Sequence, residues 1–137
     1  MSQKESSPTR SPWAAILIVM VAVGAHFGFR EYRSQQTRQL AKRLAASEIH
    51  LTALEKACKE YRAERGEWPS ALSDLPDPDP IVGAEDLFTG TWVDPMNGLP
   101  FVFRPQGSDG LEIGSWGSDG LEGGDGFAVD RLTTISR

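Results

Sequence analysis

Cysteine occurs once in this sequence, at Cys58, and histidine twice, at His26 and His50. One thiol excludes an internal disulfide and a thiolate metal site, and two distant histidines exclude a His-based zinc cluster. Cys58 falls in a helical pattern and reads as a small core residue rather than a reactive thiol. His26 lies in an apolar run and His50 is expected on a helix surface, so no Ser/His/Asp or Cys/His set assembles. Paired carboxylates have no evident apolar cleft to work in, and no catalytic residue or enzyme activity is expected. Positive charge is missing from residues 105–130, which hold Asp109, Glu112, Asp119, Glu122, Asp125 and Asp130 without one Lys or Arg. Basic residues gather instead between Arg30 and Arg65. With a formal net charge of −5, the chain is not expected to take nucleic acid as a partner.

Full charges are also absent from WAAILIVMVAVGAHFGF, residues 13–29. The stretch is near the lower limit for a bilayer span, and a transmembrane segment is expected there. A cleaved secretory signal is the first alternative, since Lys4 and Arg10 precede the run, but no small-x-small site comes after it. A buried core helix is the second, and one domain of 137 residues has little core to bury it on all faces. Arg30, Arg33, Arg38, Lys42 and Arg43 come next in the chain, so the positive-inside rule alone puts that side in the cytoplasm.

Proline and glycine are absent from Glu31 to Arg65. Leu40, Leu44, Ser47, Leu51, Leu54, Cys58 and Tyr61 alternate in steps of four and three, a narrow stripe on one helix face. One helix of about 50 residues is expected, from the apolar run to a C′ glycine at Gly66, with Pro69 preventing resumption. A freestanding coiled coil is the weaker alternative, because the seam is short and imperfect.

The chain beyond Pro69 is rich in turns. Residues 70–75, SALSDL, read as a helical turn capped by Ser70, and DPDPIVG at 77–83 as an extended loop. DPMNG at 94–98 reads as a turn. LPFVFR (99–104) and LEIGSW (111–116) flank PQGSDG and predict a β-hairpin. Phe101 and Phe103 alternate with Val102, as on one buried strand face. Trp68, Trp92 and Trp116 read as core or sheet-face residues rather than a ligand platform. The fold class is α+β: a long helix packed on a small antiparallel sheet, with an acidic C-terminal loop.

GSDGLE occurs twice, at 107–112 and 117–122. The first copy begins in the hairpin turn, so Asp109 reads as a turn residue; the second opens the acidic loop. Ser118, Asp119, Glu122, Asp125 and Asp130, spaced by glycines, offer the oxygen donors that calcium prefers. An EF-hand fails because Leu121 and Gly123 stand where acids are needed. A β-helix nonapeptide fails because Ala128 replaces its aspartate and only one copy exists. A solvated acidic loop that binds nothing specific is the alternative.

Three stretches together resemble a known family. ALEKACKEYRAERGEWPSALSDL (53–75) is similar to the end of the long helix of type II secretion major pseudopilins, the general secretion pathway protein G family. There the pattern is ALExALxxYxxDxGxYPTxxxGLxAL. DPMNGLPFVFRPQG resembles that family's DPWGNPYVYRSPG, and GSWGSDGLEGGDGFAVD its SLGADGxEGGxGxxAD. The resemblance implies a type IV pilin-like fold: a short basic cytoplasmic leader at 1–12, the transmembrane segment at 13–29, an amphipathic helical continuation at 30–66 and a periplasmic head at 67–137. It also implies a single-pass protein of the bacterial inner membrane, against the simple Lys/Arg count. Expected partners are other pseudopilins or further copies of this chain through the N-terminal helix, the inner-membrane secretion platform and the lipid bilayer.

In the family one structural Ca²⁺ sits in the loop corresponding to 116–130. Carried over, the ligands are the carbonyl of Trp116, Asp119, and then Asp125 and Asp130 with Ser118, while Glu122 points to solvent. The implied role is a calcium-stabilised structural subunit of a secretion pseudopilus. The N-terminal motif departs from the family: Ser11 stands at the position of the glycine before the cleavage site, Pro12 of the methylated Phe, and Ile16 of the glutamate. An uncleaved chain has no new amine for that glutamate to neutralise. A membrane-anchored periplasmic binding module that keeps the fold without polymerising is therefore the alternative.

Overall fold

The computed structural model describes residues 12–136, apart from the side chains of residues 12–15, 17, 18 and 27. The expected leader, residues 1–12, lies outside the described residues except for Pro12. The chain divides into two compact units, the second comprising Arg38–Arg137.

Helix α1 runs Pro12–Arg65, 54 residues. Pro at the first helical position costs nothing, because its missing N–H has no intrahelical acceptor there. The far end closes where Gly66 N donates to the Arg62 carbonyl at 2.8 Å with φ +79°, an αL cap that glycine adopts without steric cost. Ile16, Val19, Met20, Val21, Val23 and Phe29 are exposed. Among the described residues no helix is long and apolar enough to cross a membrane. Six side chains of the expected span 13–29, those of Trp13, Ala14, Ala15, Leu17, Ile18 and Phe27, lie outside the described residues.

In the unit Arg38–Arg137, the stripe expected from the sequence is the face α1 buries. Ser47, Leu54 and Cys58 are buried, and Leu40, Leu44, Leu51 and Tyr61 half-buried. Leu51, Leu54, Cys58 and Tyr61 pack on a sheet of three antiparallel strands in the order β1-β2-β3: Val102–Pro105, Gly110–Ser115 and Arg131–Ser136. Central β2 supplies Leu111 and Ile113, which join Leu54, Cys58, Leu75, Trp92, Phe101 and Ile135 in one core. A smaller cluster of Ala46, Ile81 and Ala84 packs higher on the helix. On the other sheet face Arg104 lies opposite Glu112 in the ladder, pairs with it at 3.2 Å, and stacks over Trp116 at 4.9 Å.

The architecture is α+β, one long helix on a small antiparallel sheet, with four departures from expectation. Strand β3 extends the sheet beyond the hairpin; only Ile135 of its six residues is buried, so no strong alternation marks it. Phe101 and Val102 are both buried rather than alternating. Phe101 precedes the ladder, its N–H donating to the Trp92 carbonyl at 3.3 Å, where the chain leaves the isolated bridge between Val93 and Pro100. His50 is in the core, 2% exposed, because Phe88 and Trp92 from later loops close over that side of the helix. Finally, Asp74 rather than Ser70 closes its turn. Its carboxylate accepts from the Ser70 hydroxyl at 2.8 Å and the Ser70 and Ala71 amides at 2.9 Å, and these donors hold it below the usual carboxylate range.

Candidate metal centre

The two GSDGLE copies take different structures. In the first, Gly107–Asp109 form the β1–β2 turn, closed by Gln106 N donating to the Gly110 carbonyl at 2.9 Å. Asp109 is exposed and accepts from the Ser108 hydroxyl at 3.1 Å. The second copy enters the connection between β2 and β3, residues 116–130.

That connection is an Ω-shaped loop with a narrow neck. Ser118 N donates to the Phe127 carbonyl at 2.9 Å. At Gly117, φ is +73° and a Cβ would come within 2.5 Å of the Ala128 carbonyl, so the two limbs cross where only glycine fits. Within the loop Asp119, Glu122 and Asp125 are exposed, while Trp116, Ser118 and Asp130 are half-buried. Asp119 Oδ1 accepts from Leu121 N at 3.2 Å. Asp125 precedes the 3₁₀ turn Gly126–Ala128, its carbonyl accepting from Ala128 N at 3.0 Å. Asp130 Oδ2 accepts from Gly123 N at 2.7 Å, and its Oδ1 is buried without a partner.

These residues therefore share one closed loop, yet the carboxylates are not gathered. Among the described residues no three of His, Cys, Asp or Glu lie together as a metal group. The donor chemistry nonetheless suits a hard cation: residues 116–130 contain carboxylates, a hydroxyl and carbonyls but no His or Cys. The partnerless Asp130 Oδ1 is the atom such a cation would satisfy.

Three residues expected only as parts of a turn or a strand hold the loop's entrance. Asp94 is 1% exposed and Ser115 2%. Ser115 donates its hydroxyl proton to Asp94 Oδ2 and accepts from Gly117 N at 3.0 Å. Asn97 Nδ2 donates to the Gly117 carbonyl at 2.8 Å. The signal was available at Ser115: it is in strand register with Leu111 and Ile113, so its hydroxyl points to the buried face and requires a partner.

No protein-family model matches the chain, and no curated protein matches it.

Proposed function

We propose that the chain is a structural, pseudopilin-like subunit of a type II secretion or related pilus-type assembly. The observation that carries this is the placement of the three resembling stretches. In chain order they cover the end of α1 with the turn after it, the turn before β1 with β1 itself, and the end of β2 with the β2–β3 loop, around one helix packed on a small antiparallel sheet. In this proposal residues 13–29 anchor the chain in the inner membrane, with the domain 67–137 in the periplasm. The uncharged run and its exposed Ile16, Val19, Met20 and Val21 support that anchoring. One calcium ion is proposed for the loop, with donors from the Trp116 carbonyl, Ser118, Asp119, Asp125 and Asp130. Bound there, it would offset repulsion among the carboxylates and order a loop with little apolar content.

A non-polymerising membrane-anchored binding module is favoured by the departures at Ser11, Pro12 and Ile16, where the family has the glycine, the methylated Phe and the glutamate. Cross-linking of the full chain in membranes, with mass spectrometry of its N terminus, separates the two. A ladder of multimers supports assembly; monomer alone with an intact N terminus removes it. Thermal melting of the full chain tests the ion: EGTA is expected to lower Tm, and an unchanged Tm removes calcium from the proposal.

A further inference from the structure

The residue at which the chain leaves β2, Gly117, is held through both of its flanking peptides. Gly117 N donates to Ser115 Oγ at 3.0 Å, and the Gly117 carbonyl accepts from Asn97 Nδ2 at 2.8 Å. Both grips return to one turn, because Ser115 donates to the buried Asp94 carboxylate. That turn is itself pinned. Asp94 Oδ1 accepts from Met96 N at 2.9 Å, the Asp94 carbonyl from Gly98 N at 2.8 Å, and Asn97 Oδ1 from Leu99 N at 2.8 Å. Asp94 N donates to the Leu99 carbonyl at 2.8 Å. A further contact reaches the loop, since a Cβ on Gly120 would come within 2.7 Å of Leu99 Cδ1.

We infer that Asp94, Asn97 and Ser115 are positioning residues for the acidic loop, setting the direction in which Gly117 and Ser118 launch it. A loop of mostly exposed residues has little burial of its own to define its path. Its neck therefore decides where Asp119 and the later carboxylates stand. Fixing both the N–H and the carbonyl of one residue removes rotation of the flanking peptides, which a single hydrogen bond leaves free. The predicted consequence for calcium rests on the proposed ion; the consequence for loop order does not. The turn at 94–98 thus acts on the loop through contacts that leave the carboxylates themselves free for a cation.

Residue-resolved hydrogen exchange on the full chain, with EGTA and then with calcium, tests this. Ser115→Ala and Asn97→Ala are the main variants, and Asp94→Asn is a third that keeps the shape of the side chain. In EGTA, the Ser118 and Gly123 amides are expected to exchange about tenfold faster in Ser115→Ala and Asn97→Ala, the usual worth of a lost hydrogen bond. Amides within the β2 ladder keep their wild-type rates. With calcium, the same variants bind the ion about tenfold more weakly. Unchanged loop amides in both main variants overturn the inference. So does acceleration of the β2 ladder in step with the loop, because the contacts then serve general stability alone. If wild type binds no calcium but the loop amides respond as expected, the positioning role stands and the calcium reading falls.

Discussion

Arg131 Nη1 lies 2.5 Å from Glu48 Oε1, joining the first residue of β3 to a helix residue 83 positions earlier. The two side chains are 32% and 59% exposed, so solvent screens the attraction. Glu48→Gln is expected to cost less than about 1 kcal/mol, and less again at high salt. Chemical denaturation at low and at high ionic strength measures both effects.

His50 is the opposite case, a polar ring in an apolar place. Its centroid lies 5.9 Å from those of Phe88 and Trp92 and 6.2 Å from that of Phe101, and neither ring nitrogen has a partner. Leaving buried polar atoms unpaired is costly, whereas an apolar side chain of similar size loses no hydrogen bond there. His50→Leu is expected to leave stability unchanged or raise it by about 1 kcal/mol. A loss above about 2 kcal/mol, the range of core disruption, would show that the imidazole is needed.

Gly117 and Gly83 both have positive φ, +73° and +82°, but only Gly117 is crowded, by the Ala128 carbonyl. Gly83→Ala is expected to cost about 1–2 kcal/mol for the left-handed backbone alone. Gly117→Ala must also push the loop's two limbs apart, so it is expected to cost more and to release the Ser118 amide. Comparing the two midpoints isolates the crossing.

Burial pushes the Cys58 thiol up to about 12, with the nearby Glu55 charge adding to the shift. The folded state therefore holds this proton more tightly than the unfolded chain, whose thiol titrates near 9.0. The contribution to stability is complete below that value and is lost as pH rises through about 12. Alkylation by iodoacetamide at neutral pH is expected to be slow in the native protein and fast in denaturant. Cys58→Ala is expected to remove the alkaline part of the stability profile.

Local chemistry made much of the architecture legible. The unbroken stretch from Glu31 to Arg65, the cap at Gly66 and the core position of Cys58 follow from residue spacing and from one glycine. The hairpin and the division between the two GSDGLE copies follow from turn residues between apolar runs. Strand β3 was harder to see, because an edge strand with a single buried residue leaves almost no alternation. The candidate loop was legible as composition only: acids and glycines identify oxygen donors, but spacing does not say whether they converge.

Sequence by itself determined the elements whose causes lie within a few residues of one another: a long helix, its stop, a hairpin and an oxygen-rich loop. Tertiary structure alone decided what depends on distant partners. It buried His50 under Phe88 and Trp92, paired β3 with β2, and joined Asp94 to Ser115 at the loop's neck. It also left Asp119, Asp125 and Asp130 on one loop without drawing them together. The physical reason is that a side chain's hydrogen bonds and burial are set by whatever packs across it, and in these cases that neighbour comes from another part of the fold.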